Sequence, residues 1–270
     1  MRVAVVQLSS QGDVAANLRK VEELVAAAAS DGATLVGLPE NFAFLGESEE
    51  DKRKVAEAIP GDGPIVKKLL ELAARHRIHL VAGGMPEQSG DPARPYNTSL
   101  LVGPGGSILA RYRKIHLFDV DLPDGTVLKE SAGSSAGDEP CVARLEEADT
   151  LLGMTVCYDL RFPELFRRLG DAGARLITVP AAFTLTTGKD HWHVLLRARA
   201  IENQVFILAP AQTGRHPRGR QTYGKSLIVD PWGDVLAQCG EGEGYAVARL
   251  DFAYQDRVRA SLPCLKHRRL

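Results

Sequence analysis

The chain has 270 residues, 44% of them hydrophobic, with 33 Lys and Arg against 34 Asp and Glu and a formal net charge of -1. That is enough apolar material for one large core in a single domain over residues 1–270. It offers no grouped positive charge of the kind that binds phosphates, so nucleic acid and anionic membranes are not expected as partners.

The chain opens on "MRVAVVQL", apolar for only a few residues before "SSQGD", which is too short for a signal peptide or a membrane span. A soluble, cytoplasmic protein is expected. Short β-rich runs then alternate with amphipathic stretches: "RVAVVQL", "NLRKVEELVAAAA", "TLVGLPE", "PIVKKLLELAARHR" and "HLVAGGM". This is the pattern of strands separated by helices that cover a sheet. Further on, "YNTSLLV", "GPGG" and "ILARYRKIHL" read as a hairpin, as do "KSLIVD", "PWGD" and "VLAQCG", so antiparallel pairs enter a mixed α/β sheet or pair of sheets. The longest stretch without periodicity, 118–140, reads as a functional or mobile loop. The four cysteines, Cys141, Cys157, Cys239 and Cys264, lack CxxC spacing and read as free thiols.

In "MTVCYDLRFPELF" (154–166), an apolar strand ends just before Cys157 and a helix starts with Pro163 in its first turn. Cys157 can be a buried structural thiol, the common fate of cysteine, or a nucleophile presented at a strand-to-helix elbow. The elbow leaves backbone N–H groups unpaired and sets the thiol near the positive end of a helix dipole, which favours the thiolate. A nucleophile needs a base. None of the seven histidines has a persuasive setting, and His191 and His193, two apart on a helix, point in different directions. Glu40 in "TLVGLPENF" and Lys114 in "ILARYRKIH" each end an apolar strand. Each alone reads as a solvated terminus; together with Cys157 they form a possible site at one sheet edge, with a carboxylate to move protons and an ammonium to face an oxyanion.

These stretches together resemble the nitrilase superfamily of carbon–nitrogen hydrolases, over nearly the whole chain from "VAVVQL" through "LPENF", "YRKIHLFDVD", "CYDLRFPEL" and "HWHVLLRARAIENQ" to "YGKSLIVDPWG". The resemblance implies a four-layer α-β-β-α sandwich with mixed sheets and a Glu–Lys–Cys triad at Glu40, Lys114 and Cys157. The family's second glutamate falls on Glu130. The implied activity is cysteine-dependent amide hydrolysis through a thioester, with no metal or cofactor, and the backbone N–H of Tyr158 sharing the oxyanion. An acyl transferase using the same triad is the alternative. The resemblance is nearest the amidase branch. "CYDLRFPEL" with Pro163, and "AQTGRH" followed by "QTYGKSLIVDPWG", look like the group acting on deaminated glutathione rather than the omega-amidases acting on α-ketoglutaramate.

Both substrates are anionic. Arg161 and Arg215 are candidate substrate contacts, with Arg218 or Arg220 at the mouth and Phe183 and Thr187 nearby; for Arg161 a structural salt bridge fits equally well. Arg197 and Arg199 read as structural ties. Asn97, in "NTS", matches a glycosylation acceptor, set aside because it falls in a strand. The resemblance also implies a homodimer or higher homo-oligomer, expected to pack through "RFPELFRRLGDAG" and "HWHVLLRARAIENQVF", and the polar tail 252–270, with little core of its own to join, is expected in the interface.

Overall fold

The computed structural model describes residues 1–121 and 127–269. In chain order the elements are β1 (Arg2–Leu8), α1 (Val14–Ser30), β2 (Leu35–Gly37), α2 (Glu49–Lys54), α3 (Pro64–His76), β3 (His79–Glu87), β4 (Tyr96–Val102), β5 (Ile108–Arg113), β6 (Asp119–Asp121), β7 (Val127–Lys129), β8 (Cys141–Leu145) and β9 (Thr150–Met154). There follow α4 (Pro163–Asp171), β10 (Leu176–Thr178), α5 (Leu185–Asn203), β11 (Phe206–Ala209), β12 (Ala211–Arg215), β13 (Gln221–Tyr223), β14 (Leu227–Val229), β15 (Val235–Gln238), β16 (Gly244–Arg249) and α6 (Phe252–Ser261).

Among the described residues the strands build an eight-stranded sheet in the order β13-β12-β1-β2-β3-β4-β5, with β16 also on β1, and a six-stranded sheet in the order β15-β14-β11-β10-β9-β8. Both are mixed, as expected: β1, β2 and β3 run parallel, as do β9, β10 and β11, while β4–β5 and β14–β15 are antiparallel hairpins. Strand β1 explains its unbroken apolar sequence. Val3 and Val5 face the other sheet, packing with Leu152, Met154 and Ile177, whereas Ala4, Val6 and Leu8 face Leu18, Val21 and Leu69 of α1 and α3. A strand buried on both faces has no polar alternation to show. Helices α4 and α5 cover the second sheet through Phe166, Leu169, Trp192 and Leu196. The layers are α1/α3, sheet, sheet, α4/α5, the four-layer α-β-β-α sandwich.

Two expectations are revised. The stretch 118–140 is not plain loop: β6 and β7 pair as a short hairpin that leads into a 3-10 turn at Glu130–Ala132, while residues 122–126 lie outside the described residues. The tail, expected to have little core to join, has a core contact of its own, which leaves its expected place in an interface untouched. Helix α6 buries Val258 and Gln255 on its own chain, where the Gln255 amide donates to the carbonyls of Arg175 and Gln204 (both 2.9 Å). Leu270 lies outside the described residues.

Candidate active site

The carboxyl ends of β2 and β9, the end of β5 and the start of β4 converge on one edge of the sandwich. After β2, Asn41 takes a left-handed φ of 61° and its N–H donates to Gly84 (2.8 Å), which bends the chain and turns Glu40 inward. The turn passes tightly over β3. A Cβ on Gly83 would come within 2.5 Å of Leu38 and Pro39 backbone atoms, so "GG" in "VAGGM" is there to let the Glu40 loop through. The Glu40 carbonyl accepts from the Gln212 amide (3.0 Å), which anchors the loop to β12.

Lys114 follows β5 and is 2% exposed. Its Nζ donates to Glu40 Oε1 at 3.0 Å and to Glu130 Oε1 and Oε2 at 3.1 and 2.8 Å. Burial by itself disfavours the ammonium, but Glu130 and then Glu40 outweigh it, so the Lys114 pKa is held well above the ordinary lysine value and the group stays charged. Burial likewise opposes the Glu130 carboxylate. Lys114, assisted by the Phe118 N–H at 2.7 Å, holds its pKa below the ordinary value. The remaining oxygen of Glu40, Oε2, accepts the Ala182 N–H (3.0 Å).

Cys157 follows β9 on the elbow the sequence suggests. It has a φ of 50°, a conformation uncommon outside glycine, and its N–H is tied to the Pro180 carbonyl (2.8 Å). A buried carboxylate braces this turn. Asp159 accepts from the Val156 N–H (2.8 Å), the Tyr112 hydroxyl (2.7 Å) and the His116 N–H (3.2 Å), and pairs with His116 Nδ1 (2.7 Å), whose ring stacks on Phe162 at 3.7 Å. Tyr112 lies on β5 and His116 just beyond it, so one side chain registers the cysteine turn against the Lys114 strand.

The thiol departs from the electrostatic expectation. A 3-10 turn, Cys157–Arg161, separates it from α4, so it does not sit on that helix's first turn. Burial first, then Glu40 by charge and hydrogen bonding, push its pKa well above the ordinary cysteine value, with Lys114 opposing. The resting group is a thiol beside a carboxylate.

Glu40, Lys114, Glu130 and Cys157 share a cavity of about 470 Å³, also lined by Asn97, Phe118, Ala182, His216, Arg220 and Thr222. Behind Cys157 a hollow of about 10 Å³ is bordered by Tyr158, Arg161, Phe183 and Thr187. Arg161 lies over the Phe183 ring at 5.2 Å and hydrogen-bonds His191 (3.2 Å). The Thr187 hydroxyl shares a 2.9 Å hydrogen bond with Thr184 at the start of α5. Arg215 is exposed at the end of β12 and does not border the cavity, whereas Arg220 does. Arg197 and Arg199 tie α5 to the Gly233 and Leu160 carbonyls (2.6 and 3.0 Å), and His193 turns away from His191 to Gln238 (2.6 Å). Sequence reading missed Asn97, Asp159 and Ala182. Asn97 is set aside above as a glycosylation match, yet its amide donates to Glu40 (2.9 Å) and Glu130 (3.1 Å).

Comparison with known proteins now identifies the class. The carbon–nitrogen hydrolase family profile matches residues 2–260. A protein of Synechocystis sp. (strain PCC 6803 / GT-S) named deaminated glutathione amidase is 46% identical over 98% of this chain and 97% of its own. The crystal structure of Caenorhabditis elegans NitFhit is similar with a TM-score of 0.92 at 40% identity, covering 99% of this chain and 65% of that one. The structure of Saccharomyces cerevisiae Nit3, a member of branch 10 of the nitrilase superfamily, has a TM-score of 0.90 at 33% identity, covering 100% of this chain and 97% of that one. The chain belongs to the carbon–nitrogen hydrolase family of the nitrilase superfamily and is a hydrolase acting on amides.

Proposed function

We propose that this enzyme hydrolyses the amide of deaminated glutathione through a thioester on Cys157. The observation that carries the chemistry is the buried Glu40–Lys114–Glu130 cluster, with Lys114 Nζ within 3.1 Å of both carboxylates, facing a thiol on a strained turn. Because the resting group is a thiol, attack is coupled to proton transfer. Cys157 Sγ bonds to the amide carbon as its proton passes to Glu40, while Lys114 and the Tyr158 N–H face the developing oxyanion. The tetrahedral species collapses, the C–N bond breaks, and Glu40 returns the proton to the leaving amine. Water then loses a proton to Glu40, attacks the thioester carbon and releases the acid, and the proton goes back to sulfur. Glu130 holds Lys114 and orients the amide.

The substrate reading rests on the names of the relatives and on a cavity of about 470 Å³, roomy enough for the Cys-Gly tail that must leave as an amine. Arg161, with Phe183 and Thr187, flanks the thiol, and Arg220 on the cavity wall gives it positive charge toward an anionic substrate. α-Ketoglutaramate lacks the tail. Steady-state kinetics on both compounds test the reading: kcat/KM for deaminated glutathione should exceed that for α-ketoglutaramate at least ~10-fold, roughly 1.4 kcal/mol in transition-state binding. Equal or reversed preference would sink the deaminated-glutathione assignment and leave the Glu–Lys–Cys amidase chemistry standing, with a reversed preference favouring the omega-amidase reading. Hydroxamate formation that outruns hydrolysis in the presence of hydroxylamine makes it an acyl transferase. The proposed setting is the cytoplasm, which suits four free thiols; among the described residues no helix is long and apolar enough to cross a membrane.

A further inference from the structure

Asn97 stands at the half-buried start of β4, where it touches three parts of the site. Its Nδ2 donates to Glu40 Oε1 (2.9 Å) and Glu130 Oε1 (3.1 Å), and its carbonyl accepts the Lys114 N–H (2.9 Å). Its Oδ1 is buried with no hydrogen-bond partner among the described residues, which native structures rarely tolerate without cause. The orientation has no alternative. Turned over, the amide would aim its oxygen at two carboxylates. As it stands, Oδ1 rests against Gly84, where a Cβ would lie 1.9 Å away.

We propose that Asn97 is a positioning residue of the amide-hydrolysing site, its one NH2 group holding Glu40 and Glu130 on either side of Lys114 and keeping Glu40 aimed at the thiol. The physical need is plain. Two carboxylates around a single ammonium repel each other and tend to share a proton, which would disable the base. A second cation would relieve this but quench the basicity of Glu40. A neutral double donor satisfies both oxygens and leaves the charge balance of Glu40, Glu130, Lys114 and Cys157 unchanged. The unpartnered Oδ1 is the consequence of spending both N–H bonds on the site.

The inference rests on the amidase reading above for one readout only. Asn97→Ala and Asn97→Asp are compared with wild type by kcat and KM for deaminated glutathione across pH, and by the pH dependence of iodoacetamide alkylation at Cys157 followed by mass. For Asn97→Ala, kcat should fall ~10- to 100-fold with KM little changed, and both profiles should move to higher pH by about one unit, because withdrawing the donor leaves a more negative potential at every proton site nearby. Asn97→Asp keeps the shape. It should lose more at high pH and recover toward low pH, where the added carboxyl is protonated and donates again. Unshifted profiles in folded variants would overturn the proposal, as would loss of the folded state in both variants, which would assign Asn97 to the scaffold. A wild-type enzyme that turns over no amide would sink the function proposed above, while the alkylation profiles would still decide the role of Asn97.

Discussion

At the residue scale, the state of Cys157 separates two kinds of thiol chemistry. A preformed thiolate–ammonium pair would need Lys114 to dominate the sulfur. Here Lys114 is already claimed by two carboxylates, and burial and Glu40 hold the thiol pKa well above its ordinary value. Alkylation of Cys157 should therefore climb with pH to a midpoint above ~8.5, the value of a free cysteine. A midpoint below neutrality in the free enzyme would contradict the resting-thiol account. The sign for stability follows from the same shift. The unfolded chain ionises this thiol first, so its contribution is fully present below the unfolded pKa and is lost as pH rises toward the folded one. Glu130 differs in kind, since it binds Lys114 rather than sulfur. Glu130→Gln preserves shape and removes charge. It should lose most amide turnover, ~100-fold or more, while the protein stays folded and Cys157 still alkylates. Unchanged kinetics would reduce it to a loop carboxylate.

At the element scale, the site depends on a break in β3. Its pairing with β4 shifts between Ala82 and Met85, where Gly83 and Gly84 admit the Glu40 turn on one side and the Asn97 amide on the other. Gly84→Ala would put a methyl on Asn97 Oδ1 and within 3.3 Å of Glu40 Cγ. We expect a loss of ~1–3 kcal/mol in stability, read as a lower melting temperature, and a larger loss of kcat than any change in KM. A variant with wild-type melting and turnover would show that this contact is not tight. The same element marks where sequence reading stops. Glu40 and Lys114 are legible because a charge that closes an apolar strand must be solvated or paired, and Cys157 because it lies between a strand and a Pro-started helix. Glu130 enters only through family resemblance. Asn97 looks like any polar residue at the start of a strand. Ala182 acts through its N–H alone and carries no side-chain signal. The direction of the Cys157 shift depends on burial and on the nearness of Glu40, neither of which a strand-to-helix pattern reveals.

At the scale of the whole molecule, the layer order is readable from alternation of strand and helix patterns, because doubly buried strands such as β1 and β2 leave continuous apolar runs. Which strands share a sheet depends on long-range pairings, such as β16 returning to β1, that no local pattern encodes. The outer face of α5 exposes two large apolar side chains among charged ones such as Asp190 and Arg197. Val194 is 66% exposed and Ile201 45%, and Trp232, on the turn beside Ile201, is 54% exposed. Together with the family resemblance, this leads us to propose a homodimer packed through α4 and α5, with the tail from α6 onward at its interface. Sedimentation should give twice the chain mass of 29.2 kDa at micromolar concentration, and Val194→Glu with Ile201→Lys should shift it toward monomer. A wild-type monomer would contradict the assembly without touching the chemistry.

The central claim is that Cys157 carries the acyl group during turnover, and acid quench followed by peptide mass mapping tests it directly. With deaminated glutathione, the account predicts a rapid release of up to one equivalent of Cys-Gly per site, an acyl adduct confined to the peptide containing Cys157, and neither of these in Cys157→Ala. An adduct on another residue, or amide hydrolysis that persists in Cys157→Ala at the wild-type rate, would contradict it.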